Sequence, residues 1–197
     1  RNKDLPGSDS HFKLAPKLNN VTFRNFKPRG DAKLSSVMIL LAEGIADDIN
    51  VVLTVRNHKL KNHGGQISFP GGRIELEETR LDAAYRETME EIGVARCDIE
   101  FITELSPLYV PPSNNTIFPY VGRLKSRGFA INQSEVDEVF EVPISFLKNP
   151  GNIILESRVM DNSLVTIPCW DLQKPEKLWG ATAMILSELL YLYTKYE

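Results

Sequence analysis

Glu87, Glu90 and Glu91 stand within five consecutive positions, at the spacing of neighbours on one side of a helix. Side chains three and four positions apart stack on the same face, so Glu87 faces both Glu90 and Glu91. Like charges placed so repel, and each such pair weakens an isolated helix by roughly 0.2–0.5 kcal/mol. A shared cation removes the conflict. Carboxylate oxygens are hard donors suited to Mg²⁺ or Mn²⁺, and Mg²⁺ commonly bridges a few carboxylates to phosphate oxygens. Glu87 and Glu91 are the first choice as ligands. Glu90 either completes the metal set or acts as a general base beside Glu91.

The flanking residues supply the elements that must hold such a face. Thr79 followed by Asp82 starts a helix in the manner of a capping box. Leu81, Ala84, Thr88 and Ile92 recur at helical spacing opposite the acids and are expected to pack inward. Gly93 is placed to end the helix in a left-handed conformation. Upstream, Gln66–Phe69 reads as a strand, and Pro70-Gly71-Gly72 lets the backbone turn and approach a ligand without side-chain obstruction. Arg86 is expected to pair with an acid such as Glu78 and hold the loop against the helix.

Gly72, five residues, Glu78, seven residues and then Arg86-Glu87-Thr88-Met89-Glu90-Glu91-Ile92-Gly93-Val94 resemble the Nudix box, here residues 72–94. Thr88 occupies a place that is usually aliphatic. The resemblance implies an α/β fold in which a mixed β-sheet is sandwiched between α-helices, and a diphosphatase that depends on Mg²⁺ or Mn²⁺. It puts Arg86, Glu90 and Glu91 in the catalytic apparatus, with Glu87, Glu90 and Glu91 on the metal. Carboxylates alone would repel a diphosphate anion, so metal ions must invert the sign of such a site before substrate can bind.

Further upstream, Leu53-Thr54-Val55-Arg56, Lys61, His63-Gly64-Gly65-Gln66 and Phe69-Pro70-Gly71-Gly72 are similar to the signature of the coenzyme A diphosphatase branch. Leu178-Trp179-Gly180-Ala181-Thr182-Ala183 resembles another stretch of that branch, and together the similarities span most of residues 37–192. Asn57 stands where Ser or Ala is usual, and Lys61 where Arg is usual. Lys keeps the charge but lacks the planar fork that grips phosphate through two bonds. The implied substrate is coenzyme A or a thioester of it, cut into 3′,5′-ADP and 4′-phosphopantetheine. Arg56, Lys61, His63, Gly71 and Gly72 are the expected substrate contacts, with Lys59 a further cation for the 3′-phosphate. His63 has a second reading as a turn residue. Trp179 reads as a core anchor or, less simply, as a surface for adenine to stack on. ADP-ribose or another nucleoside diphosphate derivative is the alternative substrate, and Pro111 falls near a proline of ADP-ribose hydrolases. A nucleotide-binding module without turnover is the remaining reading, against which all the box glutamates are retained.

Composition fits an ordinary globular enzyme. With 197 residues, 42% hydrophobic and 25% charged, the chain suits one domain with a real core. A net charge of −3 advertises no broad basic surface, so nucleic acid is not an expected partner. Cys97 and Cys169 form no metal spacing and read as reduced, buried thiols. No apolar run is long enough to span a bilayer, Ile185–Tyr193 being interrupted by Ser187 and Glu188. The chain begins at Arg1 with no export signal, which leaves a trimmed leader open and cytoplasm as the expected location. Residues 1–36 read as an irregular arm with one short strand at Val21–Phe23, and 37–197 as the catalytic domain. Strands are expected at Val37–Ala42, Val51–Arg56, Ile99–Leu105, Thr116–Leu124 and Val136–Val142. A hairpin of Ile153–Met160 and Leu164–Trp170 turns at Asp161-Asn162-Ser163, and a helix covers Ala181–Tyr193. The apolar face of that last helix is either core or a homodimer contact.

Overall fold

The computed structural model describes residues 5–18, 21–22, 27–160 and 163–196. In chain order the elements begin with α1 (Ser8–His11), β1 (Lys17–Leu18), β2 (Val21–Thr22), β3 (Lys33–Glu43) and β4 (Ile49–Arg56). Then come β5 (Ile67–Ser68), β6 (Gly71–Arg73), α2 (Arg80–Ile92), β7 (Ile99–Glu104), β8 (Leu108–Val110) and β9 (Asn115–Leu124). The last are β10 (Val136–Pro143), α3 (Ile144–Lys148), β11 (Ile153–Met160), β12 (Ser163–Trp170) and α4 (Gly180–Tyr196).

A strand that is apolar at nearly every position must be covered on both faces. β3 is such a strand from Val37 to Ala42 and lies central in a sheet ordered β10-β4-β3-β9-β7. It runs parallel to β9 from Lys33↔Asn115 to Leu41↔Arg123, while the other pairs are antiparallel, so the sheet is mixed as expected. Met38, Leu40 and Ala42 turn to one face and pack with Val52 and Tyr120 beneath Ala84, Tyr85 and Ile92 of α2. Ile39, Val51, Leu53 and Val121 turn to the other, against Leu147 of α3, Trp170 of β12 and Leu186 and Leu189 of α4. A smaller sheet, β11-β12-β1-β2, adds to that second face.

β3 and β4 stay paired only at Leu41↔Val51, Ala42↔Asn50 and Glu43↔Ile49. Beyond that point they part, and the chain from 67 to 73 fills the gap. β5 pairs with β4 at Thr54↔Ser68 and Val55↔Ile67, and β6 pairs with β3 from Val37↔Gly71 to Ser35↔Arg73. The Gly71–Gly72 segment, expected as a loop, therefore forms a strand because its glycines allow the backbone to close on β3. A Cβ on Gly71 would lie 2.4 Å from the Ser36 carbonyl oxygen, at a φ of 154°.

The expected strands and the last helix are present with ends shifted by a few residues. The hairpin pairs Met160 with Ser163; Asp161 and Asn162 lie outside the described residues, as does Phe23 of the expected Val21–Phe23 strand. Trp179 is not a core anchor. It is partly exposed beneath the Arg158 guanidinium, 4.9 Å from its ring centroid, because Trp170 and Leu178 bridge to each other and take the interior positions. Cys169 is buried, but Cys97 is exposed on the surface turn Arg96–Asp98 after α2. Among the described residues no helix is long and apolar enough to cross a membrane.

Residues 5–18 of the stretch read as an irregular arm are folded onto the body. α1 docks on α4 through the residues that interrupt its apolar run. Ser187 Oγ donates to the Ser10 carbonyl at 2.8 Å. The Glu188 carboxylate, 0% exposed, accepts from Gly7 N at 3.2 Å, Ser106 N at 3.1 Å and Ser106 Oγ at 2.7 Å, and pairs with His11 Nε2 at 2.9 Å. Burial alone would raise this carboxyl, but the His11 and Ser106 bonds outweigh it and hold the pKa below its ordinary value. Glu188→Ala strands His11 and Ser106 together, so we expect a loss of about 3–5 kcal/mol in urea unfolding. A change below about 1 kcal/mol would mean that the arm is not part of the cooperative fold.

Candidate metal and diphosphate site

α2 is set at both ends by its own sequence. Thr79 caps it, its Oγ1 accepting from Asp82 N at 3.1 Å and donating to the Asp82 carboxylate at 2.6 Å. Gly93 closes it at a φ of 72°, donating to Met89 O at 3.0 Å. Ala84, Thr88 and Ile92 are buried in the sheet face, and the Thr88 hydroxyl satisfies itself on the Ala84 carbonyl at 2.7 Å. That packing fixes the rotation of the helix and turns Glu87 and Glu91 toward the gap between β3 and β4.

There Glu87 and Glu91 meet a third carboxylate, Glu135, from the segment leading into β10. Ligand oxygens of the three lie within 4.8 Å of one another. Glu91 is only 2% exposed, held by Gly71 N at 3.1 Å and by Arg56 Nη1 at 3.5 Å. Gly72 makes room for Glu87: a Cβ there would sit 2.4 Å from the Glu87 carboxylate atoms. Burial pushes Glu91 up to about 7, against the opposing pull of the Gly71 N–H and Arg56. Burial likewise raises Glu87, against Arg86. Three oxygen donors, half-dry and short of positive charge, fit a hard divalent cation.

Arg86 ties the surrounding loop together. Nε and Nη2 hold Glu78 at 3.0 and 2.8 Å, Nη2 reaches the Arg73 carbonyl at 2.9 Å, and Nη1 holds Glu87 at 2.9 Å and Glu90 at 3.0 Å. The Glu78 partner is the one expected from sequence. Glu90 lies outside the three-acid cluster, 51% exposed, on the rim. Arg56 ends β4 beside Glu91. Lys61 and His63 lie on the exposed turn that follows, where His63 has a φ of 58° and its Nδ1 bonds Gln66 Oε1 at 3.0 Å. Glu135 was not found by sequence reasoning. Its surroundings, Ser134-Glu135-Val136-Asp137-Glu138, look like the start of any solvated strand, and only the fold brings it to α2.

An acid whose pKa rises on folding favours the folded state below its ordinary 4.5, and that contribution fades as pH climbs through about 7. We therefore expect the metal-free protein to lose stability between pH 5 and pH 8 through Glu91. A divalent cation should raise the melting temperature at pH 8 by on the order of 5 °C and do little at pH 5. Equal stabilisation at both pH values would rule out ligation by the buried cluster.

A family model described as "NUDIX domain" matches residues 33–158. Nudix hydrolase 15, mitochondrial, of Arabidopsis thaliana is 33% identical over 169 residues, 82% of this chain and 57% of that protein. Mitochondrial coenzyme A diphosphatase NUDT8 of Mus musculus is 30% identical over 170 residues, 83% and 79% of the respective chains. Peroxisomal coenzyme A diphosphatase NUDT7 of Mus musculus is 32% identical over 146 residues, 73% and 61%. The chain thus spans a little over half the length of the Arabidopsis relative. In fold it is similar to a MutT/nudix family protein from Enterococcus faecalis, with a TM-score of 0.58 at 22% identity over 87% of this chain and 66% of that one. With the box helix, its glycine-rich approach and a family match across most of its length, the chain belongs to the Nudix family.

Proposed function

We propose that this chain hydrolyses the diphosphate bond of coenzyme A or its thioesters, releasing 3′,5′-ADP and (acyl-)4′-phosphopantetheine, with Mg²⁺ or Mn²⁺. The observation that carries the chemistry is the Glu87–Glu91–Glu135 cluster opposite Gly71 and Gly72. The substrate rests on the Arg56-to-Gly72 signature and on relatives named coenzyme A diphosphatases at about 30% identity.

Glu87, Glu91 and Glu135 would hold the cation. Bound there, a divalent ion would supply charge neutralisation at the phosphoryl oxygens and a lowered pKa for coordinated water. Arg86 fixes the Glu87 carboxylate and keeps the box loop against α2, a positioning role. To Glu90, on the solvent rim, outside the cluster and paired with Arg86, we assign the role of general base toward the attacking water. The glycines at 71 and 72 let the backbone close on β3 and leave room for the Glu87 carboxylate beside it. Arg56, at the end of β4, and Lys59 and Lys61, on the turn beyond, are the cations assigned to the 3′-phosphate, with His63 on the same turn as a further substrate contact.

In assays with coenzyme A, ADP-ribose and NADH, each with Mg²⁺ and with Mn²⁺, we expect 3′,5′-ADP from coenzyme A and little product from the others. Cleavage mainly of ADP-ribose would keep the chemistry and discard the substrate. Glu91→Gln keeps the shape of the side chain and removes its charge. It should cut turnover by more than about 100-fold while the fold survives, since loss of a supporting partner alone typically costs 10–100-fold. Full activity in Glu91→Gln would refute the metal assignment.

A further inference from the structure

The segment that delivers Glu135 has no regular secondary structure before β10, yet it is tied from two sides. On the α2 side, Ala130 N donates to Ile92 O at 2.9 Å and Asn132 N to Glu91 O at 3.0 Å. Asn132 then closes a turn, accepting from Glu135 N and Val136 N at 3.0 Å each on its carbonyl. Its side-chain Oδ1 accepts from Ser134 Oγ at 2.6 Å, and its Nδ2 donates to Glu135 Oε1 at 3.2 Å. The other side is Asn57, the residue that follows β4 and Arg56.

Asn57 is 8% exposed, and its bonds go to both neighbouring loops. Its backbone N–H donates to the Glu135 carbonyl at 2.8 Å, and its Nδ2 donates to the Gln133 carbonyl at 2.6 Å. In the opposite direction, its Oδ1 accepts from Lys59 N at 2.8 Å and its carbonyl accepts from Leu60 N at 3.1 Å. One planar amide thus presents a donor to the acid loop and an acceptor to the turn of Lys59, Lys61 and His63. A carboxylate at this position offers only acceptors, and an aliphatic side chain offers neither group. Without the Asn57 amide, the Gln133 carbonyl and the Lys59 N–H, both on exposed residues, turn to water instead, and either loop is free to shift.

We infer that Asn57 is a positioning residue that sets Glu135 in the metal centre and couples it to the cationic turn that receives phosphate. The inference rests on the reading above in which Glu135 holds the cation. It adds that metal ligation and substrate affinity are linked through one side chain that touches neither.

The test measures Mn²⁺ binding to substrate-free protein together with steady-state kinetics at several Mn²⁺ concentrations. The proteins are the wild type, Asn57→Asp, Asn57→Ala and Glu135→Gln. Asn57→Asp keeps the bond from Lys59 N and turns a carboxylate oxygen on the Gln133 carbonyl; Asn57→Ala removes both side-chain bonds. We expect each to weaken Mn²⁺ binding about 10-fold and to raise KM for coenzyme A, with much of kcat recovered at saturating metal. A general loss of structure would instead lower kcat at every metal concentration. Wild-type Mn²⁺ affinity and KM in both Asn57 variants, with binding lost in Glu135→Gln, would overturn the inference and leave the functional reading intact. Unchanged Mn²⁺ binding in Glu135→Gln would overturn both. If the Asn57 variants do not fold, amide exchange in the wild type decides: Mg²⁺ should slow exchange at Asn57 and Lys59 as well as at Glu135. Slowing confined to residues 87–91 and 132–135 would overturn the inference.

Discussion

Glu91 is a carboxylate with almost no water to solvate it, and the rest of the site is arranged around that cost. An ionised carboxylate taken into a protein interior loses several kcal/mol of hydration unless charge or hydrogen bonds replace it. Here the replacements are one peptide N–H, from Gly71, and a guanidinium at 3.5 Å. They are too few to offset burial, which pushes the Glu91 carboxyl up. Glu87 and Glu135, within 4.8 Å, add to the deficit of positive charge rather than relieve it. A site kept in this condition at neutral pH has a standing demand for a cation. The protein meets part of that demand with Arg86, but the Arg86 bonds fall on Glu78, Glu87 and Glu90 and leave Glu91 to others.

The parting of β3 from β4 makes this arrangement possible. A continuous ladder there would fill the space with paired backbone and side chains. Because the two strands stay together at only one end, β5 and β6 bring Gly71 and Gly72 edge-on to α2 with no side chains between. The backbone N–H of Gly71 can then reach Glu91, and the absent Cβ of Gly72 leaves the volume that Glu87 occupies. The apolar packing of Ala84, Thr88 and Ile92 fixes the helix rotation, and with it the direction of both acids. The stability of the sheet and the geometry of the site therefore depend on the same contacts.

The local part of this site was legible in the sequence because it is written in short spacings. Thr79, Asp82 and Gly93 mark the helix ends, and the periodicity of Ala84, Thr88 and Ile92 marks its buried face. Arg86 and Glu78 pair as their positions suggest. Spacing put Glu90 on the same side as Glu87, and the two do share the Arg86 Nη1, but a helix face is broad and Glu90 stands at its exposed rim, outside the three-acid cluster. Glu135 and Asn57 were out of reach for a different reason. Each acts through the pairing of β4 with β10, and no spacing within one segment encodes a contact between segments so distant along the chain. His11 and Glu188 are the same case in the scaffold: a lone histidine and an acid within an apolar run become intelligible only when α1 meets α4.

On the proposed reading, one divalent cation is held by Glu87, Glu91 and Glu135. That reading is tested most directly by anomalous diffraction from crystals of the protein soaked in Mn²⁺ near pH 8. We expect a manganese peak bonded to carboxylate oxygens of these three residues, at a distance between the ~2.0–2.1 Å of Mg²⁺ and the ~2.3–2.6 Å of Ca²⁺. A peak that engages Glu90 and leaves Glu135 unbound, or no peak at this cluster, would contradict it.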